Sequence, residues 1–98
     1  MEESAEVSPR VRARVYRDFP DPEVAAVVIE LLEEWGRSFV AWEVDRVQTA
    51  IVLFAAGDVD RYLEILEEAY WDYRDVLMIS GFGGTGWKEL MEAAIGSE

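Results

Sequence analysis

Residues 21–36 read DPEVAAVVIELLEEWG, and this stretch decides the fold. Asp21 is a typical N-cap, and the proline after it suits the first helical position, where a missing N–H costs nothing. Glutamates lie mostly opposite an apolar stripe that consists of Val24, Val28, Leu31 and Trp35. Gly36 is a natural helix end. The stretch therefore predicts an amphipathic helix over residues 21–35.

Similar patterns predict four more helices, over residues 40–56, 58–71, 73–80 and 87–95. Gly57 and Asp58 end one helix and cap the next within two residues. Asp72 can cap the short helix that follows it.

The segment before these helices is ambiguous. Arginines alternate with apolar residues over 10–17, as in a strand, while the apolar residues also recur at four-residue spacing, as in a helix. A flexible arm is the third alternative. We favour a short helix, because no other stretch alternates and a strand would lack a partner.

Together these segments predict an all-α fold, a single-domain bundle of four or five helices. A chain of 98 residues can bury one core, roughly 60 to 70% of its unfolded surface. Residues 1–8 are polar and without periodicity, so we expect a disordered lead-in there and a helical domain over 9–98. Residues 50–56 are apolar all round, which indicates either the centre of the bundle or a subunit contact.

The composition excludes many kinds of site. The chain has no His and no Cys, so zinc fingers, iron–sulfur clusters, thiol nucleophiles and Ser-His-Asp triads are excluded. Glycines at 81, 83 and 86 match a dinucleotide-binding loop, but the 12 residues after Gly86 are too few for the βαβ unit. Asp58 and Asp60 begin like a calcium loop that Tyr62 then breaks. We therefore predict no catalytic residue, no metal, no cofactor and no enzyme.

The charge is strongly negative and unevenly distributed. The chain has 21 Asp/Glu against 9 Lys/Arg, a net charge of −12. Acidic surfaces repel nucleic acids and anionic membranes and attract basic proteins, so we expect a protein partner, no nucleic acid and no membrane. With no long apolar run, a cytoplasmic location is the default. We expect the arginines at 10, 14 and 17 to pair with the protein's own glutamate-rich helices rather than with phosphates.

Aromatic side chains provide the candidates for contact. We expect Trp35, Phe54, Tyr62, Tyr70 and Trp87 in the core because they lie on apolar stripes. Trp42 and Trp71 stand beside charged residues, where interface hot spots concentrate. The candidate interaction residues are these two tryptophans, Val52 in the apolar segment, and a patch beside Trp71; together they are Trp42, Val52, Trp71, Tyr73, Arg74 and Asp75.

The leading hypothesis is a non-enzymatic protein–protein interaction module that also self-associates, as a dimer, through the segment around Val52. The alternative is an acidic inhibitor, of the nucleic-acid-mimic or antitoxin or immunity type, that occupies a basic site on its partner. Glu64, Glu67 and Glu68 would supply its carboxylates. Only the inhibitor requires binding to collapse at high salt.

Four short motifs resemble those of a group of small bacterial helical proteins. They are Arg17-Asp18-Phe19-Pro20, Asp45-Arg46-Val47-Gln48-Thr49-Ala50-Ile51, Ala56-Gly57-Asp58 and Asp72-Tyr73-Arg74-Asp75-Val76-Leu77. The resemblance covers about residues 17–83. In that group the last motif often ends in an alanine-rich segment, where this chain has Met78 to Phe82. The resemblance implies a compact bacterial helical domain and carries over no catalytic residue.

Overall fold

A computed structural model describes residues 6–38 and 44–95 of the chain. Its five helices are α1 (Pro9–Asp18), α2 (Pro22–Ser38), α3 (Val44–Ala55), α4 (Val59–Ser80) and α5 (Trp87–Ile95). No strand occurs within these two ranges, so the predicted all-α bundle is confirmed. The ambiguous segment is the helix α1. Ser8 caps it by accepting a hydrogen bond from the Val11 amide at 3.4 Å.

Two boundaries differ from the sequence-based prediction, and a third lies outside the described residues. Helix α2 continues past Gly36, which is buried inside it, to Ser38. The predicted start of the next helix, before Val44, falls outside the described residues. Val7 belongs to the expected lead-in, yet its side chain is buried and its amide donates a hydrogen bond to Glu33 at 3.2 Å. The packed domain therefore begins earlier than residue 9.

Helix α3 lies at the centre of the bundle, packs most extensively against α4, and also contacts α1, α2 and α5. Val52 is fully buried there, which overturns its assignment to a subunit contact. Val52 follows Gln48 by four positions and shares its helix face, and a polar residue commonly marks the solvent side of a helix. Gln48 is itself buried, and its side-chain amide donates to the Leu32 carbonyl at 3.1 Å. A polar side chain that bonds to a backbone carbonyl can thus lie inside the core.

Helices α2 and α4 are bridged by aromatic side chains that reach the opposite backbone. The Trp35 indole donates to the Ala69 carbonyl at 3.1 Å, and the Tyr62 hydroxyl donates to the Val28 carbonyl at 2.7 Å. Both bonds join residues 34 positions apart. From the Tyr62–Val28 bond to the Trp35–Ala69 bond, the bonded position moves forward by seven residues along α2 and by seven residues along α4. The two helices therefore run parallel. Burial raises the pKa of the Tyr62 hydroxyl, so it remains a donor.

The arginines of α1 mostly serve the fold. Arg10 pairs with Asp45 of α3 at 3.1 Å, and Arg12 approaches Glu33 of α2 at 3.8 Å. Arg14 pairs with Asp18 at 2.9 Å and donates to the Ala94 carbonyl of α5 at 2.8 Å. Arg10 and Arg14 pair within the chain as predicted, but with aspartates of α3 and of α1 itself and not with the glutamate-rich helices. Arg14 also ties the two ends of the described chain together.

The glycine-rich segment after α4 is a helix end. The Gly81 amide donates to the Met78 carbonyl and the Phe82 amide to the Leu77 carbonyl, the bond pattern of a Schellman motif. A helix, not a strand, precedes this loop, so the strand–loop–helix arrangement of a dinucleotide site is not formed. Arg46 fixes the segment. Its Nη2 donates to the Phe82 carbonyl at 2.6 Å, and its guanidinium lies 4.4 Å above the Trp87 ring.

Candidate interaction surface

A kink divides α4 at Asp72. This residue has φ −159° and ψ 101°, an extended conformation inside an otherwise helical segment. Its carboxylate accepts a hydrogen bond from the Arg74 amide at 3.0 Å and so caps the helix that resumes after it. The break predicted between residues 71 and 73 is therefore confirmed. The chain changes direction where Trp71 leaves the first segment.

The cap residue also holds the nearest cation. Arg74 donates to Asp72 through Nε at 3.0 Å and through Nη2 at 3.2 Å, a bidentate pair. These hydrogen bonds lower the pKa of the Asp72 carboxyl. An exposed pair of this kind adds little stability because water screens it. The Arg74 guanidinium can therefore bind a partner's carboxylate in place of Asp72 at a small cost in free energy.

Two further carboxyl groups meet across the kink. The Glu68 and Asp75 carboxyl groups approach each other, and a hydrogen bond that forms only while one of them is protonated raises the pKa of Glu68. The charges of Asp75, Asp72 and Glu67 act in the same direction, because like charges disfavour ionisation. This approach places one acidic side chain from each α4 segment, Glu68 and Asp75, on a common side.

Three large apolar side chains on α4, at and after the kink, are exposed. Trp71 is 82% exposed, Met78 is 74% exposed and Ile79 is 54% exposed. Trp71 follows Glu68 by three positions, and Met78 and Ile79 follow Asp75 by three and four. Each apolar residue therefore shares a helical face with one member of the carboxyl pair. We call the set Trp71, Arg74, Asp75, Met78 and Ile79 the kink surface.

The predicted contact residues separate into three groups. Trp71, Arg74 and Asp75 are exposed and lie on either side of the kink. Tyr73 is half-buried and packs against the core, so it supports the surface from beneath. Val52 is elsewhere, inside α3, and Trp42 lies outside the described residues.

Sequence reasoning missed Met78 and Ile79 as exposed residues. Helical spacing could have found them, because Met78 follows Arg74, and Ile79 follows Asp75, by four positions. Tyr70 was expected in the core and is instead exposed, with Ala69 buried in its place. Helical phase advances by about 100° per residue, so a single-position error moves a side chain from core to surface.

Several other features bear on which sites the protein has. Among residues 6–38 and 44–95, no three His, Cys, Asp or Glu side chains come together as metal ligands would. Within the same ranges, no helix has both the length and the apolar character needed to cross a bilayer. No family model, curated protein or solved structure matches the chain. The resemblance to small bacterial proteins therefore stays a prediction.

Proposed function

We propose that the protein is a non-enzymatic protein–protein interaction module and that the kink surface is its contact site. The observation that carries the proposal is the exposure of three large apolar side chains, Trp71, Met78 and Ile79, in the part of α4 around the kink. A small folded chain rarely leaves such large apolar side chains in water together unless something covers them. Tryptophan is also the residue type most enriched at interface hot spots.

The charged groups fit the same role. Arg74 and Asp75 stand beside the exposed apolar residues, as polar rim residues surround the anchors of a typical interface. A partner's carboxylate can take the place of Asp72 on the Arg74 guanidinium, since that exposed pair contributes little by itself. Trp71 would then supply most of the binding energy and Arg74 the orientation.

Capture from a native bacterial lysate tests the proposal, with tagged wild type, Trp71→Ala and Tyr16→Ala compared side by side. Tyr16 is an exposed aromatic residue on α1, far from α4 in sequence, and serves as the matched control. We expect one protein to be retained in stoichiometric amount by the wild type and by the control. Loss of Trp71 should weaken its binding by about 2 kcal/mol or more, roughly thirtyfold in affinity.

Two results would count against this role. A partner retained equally by all three proteins would bind elsewhere on the chain. If nothing is captured at either low or high salt, the interaction hypothesis loses its support.

The acidic inhibitor remains a second candidate because the Glu68 carboxyl group lies among the acidic groups of Asp75, Asp72 and Glu67, which raise its pKa. A basic site on a partner would relieve that crowding. The triple change Glu64→Gln, Glu67→Gln and Glu68→Gln should then abolish binding, and high salt should do the same. Binding that survives both treatments would support the Trp71 contact instead.

A further inference from the structure

A second apolar surface lies away from the kink, between the N-terminal halves of α2 and α4. It is an open groove of about 350 Å³. The buried residues Val28 and Tyr62 lie at its base. Its walls are formed by Val24, Val27 and Leu31 from α2 and by Val59 and Leu63 from α4.

The groove results from the way the two helices are joined. The Trp35 and Tyr62 side chains bridge α2 and α4, so aromatic rings set the separation of the parallel helices. The hydrogen bond from Tyr62 to the Val28 carbonyl closes the base of the groove. Above that bond the side chains of the two walls remain apart. Val27 is 52% exposed and Leu63 is 48% exposed.

The walls have the spacing of a helix-binding site. Val24, Val27 and Leu31 follow one another at three and four positions, and Val59 and Leu63 are four apart. The α2 wall covers about two turns and the α4 wall about one turn, so the space between the parallel helices is a short trough. A third helix with apolar residues at every third and fourth position can lay that face into such a trough.

The borders of the trough are acidic. Residues 21–35 contain five acidic side chains and no basic one, and residues 58–71 contain five acids and one arginine. That arginine, Arg61, lies over the Phe54 ring at 4.5 Å. Glu23 and Glu30 share a helical face with Val27, and Glu67 follows Leu63 by one turn. The apolar strip is therefore flanked by carboxylates on both helices.

This charge pattern selects the occupant. A second copy of the chain would bring acidic borders against acidic borders, and each copy has a net charge of −12. Like charges in apposition oppose association. Lysine or arginine side chains on either side of an apolar face would instead meet the carboxylates of both walls.

We infer that the groove binds the apolar face of a basic amphipathic helix supplied by a partner protein. This site is separate from the kink surface, and its test does not depend on Trp71.

The probe is a synthetic peptide of about five helical turns, with leucines at every third and fourth position and lysines elsewhere. A scrambled peptide of the same composition has no apolar face and is the control ligand. We expect titration calorimetry to show that the amphipathic peptide binds at least about tenfold more tightly than the scrambled peptide. Amide shifts in NMR spectra should concentrate at Val24, Leu31 and Leu63.

Variants locate the site. The double change Val27→Ser and Leu63→Ser should lower affinity for the amphipathic peptide by about tenfold. Both residues are half exposed, so the fold should persist, as circular dichroism will show. Two control variants should leave peptide binding unchanged. They are Leu90→Ser, which changes an exposed apolar residue on α5, and Trp71→Ala.

Three outcomes would overturn the inference. Equal binding of both peptides, or no binding, would show that the groove does not select an apolar face. Unchanged affinity in the double variant would place the peptide on the acidic surface alone. A wild-type dimer in analytical ultracentrifugation that becomes monomeric in the double variant would show that a second copy covers the groove.

Discussion

Gly57 is the residue at which the backbone tolerates least change. It follows Ala56 in the turn between α3 and α4, and both residues have positive φ, 49° for Ala56 and 82° for Gly57. A Cβ at Gly57 would lie 2.6 Å from the Asp18 carbonyl oxygen. This oxygen belongs to the backbone at the end of α1, so a side-chain rotation cannot relieve the clash.

We therefore predict that Gly57→Ala lowers the free energy of unfolding by about 2 kcal/mol or more, from left-handed backbone strain together with the clash. Urea denaturation followed by circular dichroism measures the loss. Gly84→Ala is the matched control, because a Cβ there meets nothing within 4 Å. Equal effects at the two positions would mean that the turn does not pack against α1 as described.

Val52 gives the second prediction at this scale. A glutamate there would place a carboxylate in the fully buried centre of α3, at a cost of several kcal/mol. Domains are stable by only about 5–15 kcal/mol, so Val52→Glu should abolish cooperative folding. Val27→Glu, on the exposed wall of the groove, should fold normally. A folded Val52→Glu protein that has merely changed its oligomeric state would restore the subunit-contact interpretation.

Single residues show where sequence reasoning succeeds and fails. Trp35 and Tyr62 were correctly expected in the core because each lies well inside a regular apolar stripe. Tyr70 was misplaced because the buried face of this helix passes through Ala69, and the next residue lies about 100° further round the helix. Gln48 is a core residue because its side-chain amide donates to the Leu32 carbonyl of α2. The hydrophobic periodicity of a helix gives no information about such a contact with another helix.

Helix α4 provides a prediction at the scale of one element. The hydrogen bond with Asp75 favours protonated Glu68 in the folded state, so its folded pKa exceeds the unfolded one. The stabilisation is complete below the ordinary pKa of 4.5 and is lost as pH rises through the raised value. At neutral pH the two carboxylates repel each other.

Glu68→Gln replaces the ionisable group with a permanent hydrogen-bond donor. We expect this variant to be more stable than the wild type at pH 7, with the advantage shrinking as the pH falls to about 4. Chemical denaturation at several pH values measures the difference. Glu64→Gln removes the same charge one turn earlier, on the same helix, and is the control. An identical pH profile for both variants would contradict a specific bond to Asp75.

Elements are the level at which the sequence is most informative. Caps and breaks fixed the starts of α2 and α4 and the division at Asp72, because each depends on residues within one turn of it. Gly36 misled because glycine ends a helix only where the backbone turns, and here it stays helical inside α2. The groove was not predicted, since its walls come from helices that are joined by contacts 34 positions apart in sequence.

The net charge acts on the molecule as a whole. With a net charge of −12 the folded chain repels itself more than the expanded unfolded chain does. Salt shortens the range of this repulsion to about 10 Å at 0.1 M. We therefore predict that Tm rises as sodium chloride is added from low to physiological ionic strength. The triple variant Glu64→Gln, Glu67→Gln and Glu68→Gln should show a smaller rise in Tm with salt. A Tm that falls with salt in both the wild type and this variant would indicate that the ion pairs of α1 dominate instead.

Two hydrogen bonds, Trp35 to Ala69 and Tyr62 to Val28, hold α2 and α4 in the same register, 34 positions apart in sequence. This register affects which ligands the groove can select. Any sliding of α2 along α4 would break both bonds together, so the distance between the groove walls is set before a ligand arrives. A preorganised site loses little conformational entropy on binding. It also adapts poorly. We expect the groove to discriminate by side-chain size, accepting leucine, isoleucine or valine on an incoming helix and rejecting tryptophan.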